Sequence, residues 1–387
     1  MVSTPIDRSG VGLGALLGVP DADAPAALAE LVGAALGVAP DPAATVVEDV
    51  PHEMGSPATG GVHRIRGVDA AGRPWSLFCK VLQHARHWPL LVHLPPAAAE
   101  WFVADFPWRS ELELWDPVVQ GSLPTGLRSP VLHRVVDLGD DRVAVWQEDI
   151  PVVPAEWDPD RYADAAELLG RWNARSTAAG VLAVNAYPPC HALRVYAEQA
   201  VAQRGLGPLA DDALWSHPRL AAHGDLRARL RRLGGHIPAL LDRLTALPQC
   251  LPHGDASPQN LLVAAADGPA RFVAIDLSFR TPHPLGFDLG QLLVGLTHAG
   301  IQPAALLPAI ADTILPAYRR GLAAEGLDDA ADAAAEGFAL ATLVRSGFDG
   351  FRYDLIDSAD PAEQRVFDER VAMSRALADR AEPWVTG

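Results

Sequence analysis

The densest chemistry in the chain lies between residues 251 and 276. The run Leu251-Pro252-His253-Gly254-Asp255-Ala256-Ser257-Pro258-Gln259-Asn260 sets a carboxylate five positions ahead of a carboxamide. Apolar residues 261–263 follow, then a turn signal at Ala266-Asp267-Gly268-Pro269, then a second apolar segment, 271–275, that runs directly into Asp276. Two short apolar runs split by such a turn read as a hairpin. If that hairpin closes, Asn260 starts one strand and Asp276 ends its neighbour, so the two lie side by side. Asp and Asn oxygens are what Mg²⁺ takes alongside substrate phosphates. Asp255, on the loop just before, is placed to accept the proton of an attacking hydroxyl.

A second signal is a scarcity. Lys and Arg together number 31, and Lys80 is the only lysine. Arginine covers most surface roles of lysine, but it does not replace a compact point charge on a phosphate. Lys80 falls in a strand-rich stretch. Residues 44–50, 62–68 and 75–81 read as strands of an antiparallel meander with a turn at 69–72. Its first turn is the glycine-rich Gly55-Ser56-Pro57-Ala58-Thr59-Gly60-Gly61. Cys79, next to Lys80, would face the opposite side of the strand as a small core residue.

Taken in order, these segments resemble the catalytic core of the aminoglycoside phosphotransferase family and its relatives among the protein-kinase-like small-molecule kinases, choline kinases included. His253-Gly254-Asp255 with Asn260 is similar to that family's H-G-D-x-x-x-x-N loop, whose Asp and Asn are spaced as in the H-R-D loop of protein kinases. Ile275-Asp276 looks like the metal-binding Asp in the position of D-F-G, followed here by Leu277-Ser278-Phe279. Gly286-Phe287-Asp288-Leu289-Gly290 is similar to a second acidic segment whose role is to brace the loop. Upstream, Lys80 is similar to the ATP lysine, residues 55–61 occupy the place of the phosphate loop, and Trp108-Arg109-Ser110-Glu111 resembles the start of the helix whose Glu pairs with that lysine. Glu113 and Glu100 are the other candidates for that partner. The resemblance spans about residues 45–295.

The resemblance implies ATP and Mg²⁺ as cofactors and phosphoryl transfer to a hydroxyl of a small molecule, an antibiotic or amino sugar among the candidates. The alternatives are a metabolic sugar or amino-alcohol kinase, and a nucleotide-binding regulator of the same fold without phosphotransfer. Loop amides around Ser56, Thr59, Gly60 and Gly61 would cover the phosphates. Lys80, held by Glu111, would meet the α and β phosphates. Main-chain groups of Gln147, Glu148 and Ile150 would take the adenine. Asn260 and Asp276 would be the metal ligands, and Asp255 the catalytic residue. Candidates for the acceptor side are Trp157, Arg161, Tyr162, Arg280, His283 and the aromatic stretch 348–353, for which a core role is favoured.

The elements that must position these groups fall into two styles. Residues 1–40 form a helical lead-in with a helix at 26–36. Residues 41–149 are an N-lobe, a nucleotide-binding antiparallel sheet with one helix, at 108–119; they include an irregular stretch at 83–107 and a strand pair at 127–136 and 142–148. Residues 150–387 form a helical C-lobe, with helices at 161–177, 192–204, 227–246, 304–325 and 330–345 and the catalytic loop among them. Strands first and helices after is α+β segregation. The resemblance makes it a protein-kinase-like bilobed fold, with an antiparallel-sheet N-lobe and a mainly helical C-lobe.

Composition narrows the field. The 387 residues carry a formal net charge of −17, against what a nucleic-acid binder needs. No stretch has the length and apolarity of a membrane span, and the first 20 residues lack the basic start of a signal peptide. The 3 cysteines form no CxxC pair, so a reducing cytoplasm is expected. A Walker loop needs Gly-Lys-Ser/Thr, and the one lysine follows Cys79. His84 and His87 lack a third zinc ligand. A second triplet, His223-Gly224-Asp225, has Leu230 where an amide would be needed and an arginine-rich helical run after it, so it is read as structural.

Overall fold

The computed structural model describes residues 11–51, 55–265 and 271–386. The Ala266–Pro269 turn signal and the start of the chain lie outside them. Strands are numbered along the chain: β1 (Val46–Asp49), β2 (Thr59–Val68), β3 (Pro74–Gln83), β4 (Leu127–Arg128), β5 (Leu132–Gly139), β6 (Arg142–Glu148), β7 (Gln249–Cys250), β8 (Leu261–Leu262), β9 (Phe272–Ala274) and β10 (His283–Pro284). The fold is α+β, with its large antiparallel sheet early in the chain and its helices mostly late. It divides into two compact units, the first up to Trp115 together with Ser129–Pro151, the second Asp116–Arg128 together with the chain from Val152.

The first unit is built on a five-stranded sheet in the order β1-β2-β3-β6-β5. Alternation decides its two faces. Trp75, Leu77, Cys79 and Val81 of β3, with Ala144 and Trp146 of β6, pack against Leu16, Leu28, Leu31 and Val32. The helix Ala24–Leu36 thus covers this face, and Trp146 donates its indole N–H to the Leu16 carbonyl at 3.0 Å. On the other face Leu82, Val143 and Val145 meet Trp108, Leu112 and Trp115. Lys80 alternates with Cys79 and belongs to this second face, in register with Val62 and Val145.

Three expectations for this region need correction. Residues 83–107 are irregular only in part: a helix, Pro96–Asp105, forms there. Pro96 opens it, at a position where a missing N–H costs nothing. The single helix at 108–119 is instead a 3₁₀ segment, Ser110–Trp115, and a separate helix, Pro117–Ser122. Pro117 cannot continue the earlier segment, and the Asp116 carboxylate caps the new one by accepting from Val118 N–H at 2.8 Å. The strand at 127–136 is also two elements. β4 pairs in parallel with β9 of the second unit, whereas β5 pairs with β6 of the first; Pro130 lies between them.

In the second unit, Pro159–Arg175 and Leu307–Ala324 lie backbone to backbone. A Cβ on Gly170 would fall 2.3 Å from the Tyr318 carbonyl, and one on Gly321 2.2 Å from that of Glu167. The run expected at 227–246 is two helices, Gly224–Gly234 and Ile237–Ala246. The run at 192–204 starts as His191–Tyr196 and widens into a π-helical stretch, Ala197–Leu206. The helix expected to 345 runs Ala331–Thr342 and ends in a π turn, Leu343–Gly347. Phe287–His298 and Pro361–Thr386 are helices that the sequence reading did not single out. The core gathers leucines of Gly224–Gly234 and Ile237–Ala246 around Phe287, Phe348, Phe351 and Phe367. Cys79, Cys190 and Cys250 are buried free thiols. Among the described residues no helix is long and apolar enough to cross a membrane.

Candidate active site

In the first unit the lone lysine finds its carboxylate. Lys80 Nζ lies 2.6 Å from Glu111 Oε2, and the two side chains are only 9% and 11% exposed. β3 supplies the lysine and the 3₁₀ segment Ser110–Trp115 supplies the glutamate. Withdrawing both charges from water is costly, and packing alone does not require it. The glycine-rich turn ends in β2. Thr59 N–H donates to the Ser56 carbonyl at 3.4 Å, and the β2–β3 register slips between Thr59 and Gly61. A Cβ on Gly60 would come within 2.9 Å of Gln83 Oε1, and one on Gly61 within 2.7 Å of His63 Nε2. Gln147 and Glu148 end β6. The Glu148 N–H is committed to the Val131 carbonyl at 2.9 Å, and its carboxylate accepts from Val131 N–H at 3.1 Å. Ile150, just beyond, is buried.

In the second unit the loop at 253–260 is fixed from below. His253 N–H and Gly254 N–H donate to the two oxygens of Asp288 at 3.0 and 2.9 Å, and Asn173 Nδ2 donates to the same carboxylate at 3.0 Å. Asn173 accepts in turn from the Tyr318 hydroxyl at 2.8 Å. Asp288, fully buried, braces the loop with charge-assisted bonds. Gly254 has φ of +86°, and a Cβ there would sit 1.7 Å from the Ser278 carbonyl. Only glycine makes that turn.

Above the brace stand the chemical groups. Asn260 Nδ2 donates to Asp255 Oδ2 at 3.2 Å and to the Asp255 carbonyl at 2.9 Å. β8 and β9 pair with Leu261 opposite Ala274, and Ile275 N–H donates to the Asn260 carbonyl at 3.0 Å. The hairpin therefore closes and sets Asn260 across from Ile275, one residue short of Asp276. Asp276 has φ of 58°, the left-handed region, which Asp adopts more readily than most residues. Burial pushes the Asp255 carboxyl above its ordinary pKa. Arg345 and His253 oppose the rise, and the Asp276 charge adds to it. Burial drives the His253 pKa down, and its Nδ1 accepts the Asp255 N–H at 3.2 Å.

One residue of this site went unnoticed in the sequence. Arg345 Nη1 donates to the Gly254 carbonyl at 2.5 Å, and its Nη2 donates to Asp255 Oδ1 at 2.9 Å. The only hint is an arginine closing the uncharged run 338–344.

Several acceptor-side candidates make internal contacts. Arg280 is buried and donates to the Pro252 carbonyl at 2.7 Å. His283 is buried, with its ring stacked 3.8 Å from that of Phe287. Tyr162 is buried and its hydroxyl donates to Gln302 at 2.8 Å. Trp157 stacks on Phe272, and Phe348 and Phe351 are core. In the second triplet, Gly224 opens a helix and Asp225 pairs with Arg375 at 2.6 Å.

No family model matches the chain, and no curated protein matches it in sequence. Solved structures match its fold. One is a spectinomycin phosphotransferase in complex with ADP and spectinomycin, with a TM-score of 0.50 at 11% identity over 92% of this chain and 96% of that one. Another is an aminoglycoside phosphotransferase from Alicyclobacillus acidocaldarius subsp. acidocaldarius DSM 446, with a TM-score of 0.50 at 16% identity over 88% of this chain and 92% of that one. The chain thus shares the fold of these two phosphotransferases.

Proposed function

We propose that this chain is an ATP-dependent kinase that phosphorylates a hydroxyl of a small molecule. The observation that carries the reading is the arrangement around Asp255. A carboxylate is hydrogen-bonded to Asn260 and braced through its loop by Asp288, and the closed hairpin sets Asp276 next to the residue facing Asn260. The fold likeness to a phosphotransferase bound to ADP and spectinomycin supports it.

The residues fit a Mg²⁺ ion. Asn260 spends its amide N–H on Asp255, which leaves its carbonyl oxygen, with the Asp276 carboxylate, as a hard-oxygen donor set. Two protein ligands suffice for an ion that keeps waters and phosphate oxygens. Among the described residues no group of three or more His, Cys, Asp or Glu side chains forms a closed metal cage. When bound there, Mg²⁺ neutralises charge on the phosphate oxygens.

The chain's own groups do the rest. Lys80, kept in place by Glu111, holds phosphate oxygens as a point charge. Amides around Ser56, Thr59, Gly60 and Gly61 cover them. The main chain near Gln147 and Ile150 receives the adenine, the Glu148 N–H being already committed to Val131. Asp255 orients the acceptor hydroxyl and takes its proton as the acceptor oxygen bonds to the γ-phosphorus and the bond to the ADP oxygen breaks. Most of the barrier lowering is positional and electrostatic. The acceptor is a hydroxylated small molecule, an antibiotic or amino sugar first. A net charge of −17 suits a cationic acceptor. Three free, buried thiols fit a reducing compartment such as the cytoplasm.

The test is ADP release across a panel of aminoglycosides, macrolides, sugars and choline-like alcohols, with Asp255→Asn as control. One or more acceptors are expected to stimulate release by the wild-type chain and not by the variant. A nucleotide at 100 times its Kd should also add about 2.7 kcal/mol of stability. No acceptor-dependent release, with no thermal shift from Mg·ATP, would overturn the reading.

A further inference from the structure

We propose that Arg345 is a positioning residue of this site, one whose guanidinium aims the Asp255 carboxylate at the acceptor hydroxyl. The inference rests on Asp255 being the acceptor-side base, and it assigns the group that holds that base in its working direction.

The geometry carries it. One guanidinium bonds two parts of the same loop, the Gly254 carbonyl at 2.5 Å and Asp255 Oδ1 at 2.9 Å. A planar fork that spans main chain and carboxylate fixes the angle between them, which a single bond would not do. The second oxygen, Oδ2, is held by Asn260 at 3.2 Å. Each oxygen has two lone pairs, so the carboxylate is clamped from both sides and still able to accept a proton. The fork itself is held: the Arg345 guanidinium carbon sits 3.9 Å from the centroid of the Phe279 ring and 5.5 Å from that of Phe287.

The backbone that presents Arg345 points the same way. The residue lies in the π turn Leu343–Gly347, which interrupts the end of the helix Ala331–Thr342. Such widened turns concentrate at functional sites because they re-aim one side chain at the cost of regular hydrogen bonding. Arg345 also satisfies the Gly254 carbonyl, so its loss is felt in folding as well, and the test must read kcat against nucleotide Kd as well as stability.

A double-mutant cycle with Arg345→Gln and Asp255→Asn tests the role. Arg345→Gln should lower kcat roughly 10²-fold, the scale of a small misplacement of a reacting group. The Kd for nucleotide should stay within a factor of about two, because nucleotide binding does not need the base to be aimed. Added guanidinium at sub-denaturing concentration should restore part of the rate. In the Asp255→Asn background the Gln substitution should add little, because Arg345 acts through the group already removed. Wild-type kcat in Arg345→Gln overturns the proposal, and so does a full multiplicative loss in the Asp255→Asn background. Should the Gln variant not fold, Arg345→Lys keeps the charge and loses the fork. About a tenfold loss of kcat is expected there, the worth of one charged hydrogen bond, and an unchanged kcat overturns the proposal. The kinase reading fails separately: the wild-type chain then shows no Asp255-dependent ADP release, and Arg345 loses its role with it.

Discussion

His223-Gly224-Asp225 and His253-Gly254-Asp255 are the same three residues in two different conformations. In the first, Gly224 opens a regular helix and a Cβ on it would meet nothing within 4 Å. Asp225 sits in the first helical turn and pairs with Arg375 of the C-terminal helix. In the second, Gly254 takes φ of +86° against the Ser278 carbonyl. Two consecutive N–H groups turn down onto Asp288, and Asp255 is left between Asn260 and Arg345. The tripeptide therefore does not by itself specify the loop conformation seen at 253–260. What specifies it is a buried carboxylate able to collect the loop's amides, and a glycine with no alternative at the turn.

The sharpest way to break that comparison is to neutralise the two aspartates in parallel. Asp255→Asn should cost roughly 10³-fold in kcat, within the range for removing a positioned acid–base group, whereas Asp225→Asn should leave kcat unchanged. Rates of acceptor-dependent ADP formation check both. Equal losses would mean that the first triplet also serves the reaction.

The glycines come next. Gly254→Ala must relieve both a left-handed φ and a 1.7 Å approach to a carbonyl, and should destabilise by about 3 kcal/mol or more. Gly224→Ala meets open space and should stay within about 0.5 kcal/mol of wild type. Urea unfolding midpoints of the two variants read the difference.

The same contrast of setting applies to cations. Lys80 is buried with Glu111, and its substitution by arginine keeps the charge but brings a bulkier, forked head to a place shaped for an ammonium. Lys80→Arg should lower kcat roughly 10²-fold, the scale of losing one preorganised donor. Near-wild-type turnover would remove Lys80 from the site.

What could be read from the sequence follows the range of each determinant. Asn260 and Asp276 were legible because a hairpin is local: apolar runs and a turn signal fix which residues face each other, and Leu261 does oppose Ala274. Lys80 was legible by its rarity, and the β3 alternation that buries Cys79 behind it follows from period two. The helix expected at 108–119 breaks at Pro117, a local stop signal that the sequence itself carries. The strand at 127–136 failed for a different reason. Leu127 and Arg128 pair with β9, and nothing within ten residues of them announces a partner so distant in sequence. Arg345 is the clearest case. It reaches Asp255 across ninety positions, and a π turn that no residue pattern encodes decides its direction. Arg280 and His283, polar and close behind Asp276, looked like acceptor-side groups. Their burial under the loop is a tertiary fact, set by Pro252 and Phe287.

The smallest expected effect belongs to the exposed ion pair of the first triplet, and it shows what that aspartate is for. Arg375 Nη1 lies 2.6 Å from Asp225 Oδ2, with both side chains well exposed at 39% and 64%. The hydrogen bond from Arg375, aided by one from the Leu226 N–H, lowers the Asp225 pKa from 3.8 to about 2. A depressed carboxyl pKa means that the folded chain holds this proton less tightly than the unfolded one. The pair's contribution is therefore present above pH 3.8 and fades as pH falls toward about 2. Exposed pairs contribute little in water and are screened by salt. Arg375→Gln should therefore return the Asp225 pKa toward 3.8 in a carboxyl-detected NMR titration, and leave the urea midpoint at neutral pH and kcat where they were. A drop in kcat would tie the first triplet to the chemistry. An unmoved pKa would mean that the helix N-terminus, not the arginine, holds the proton off.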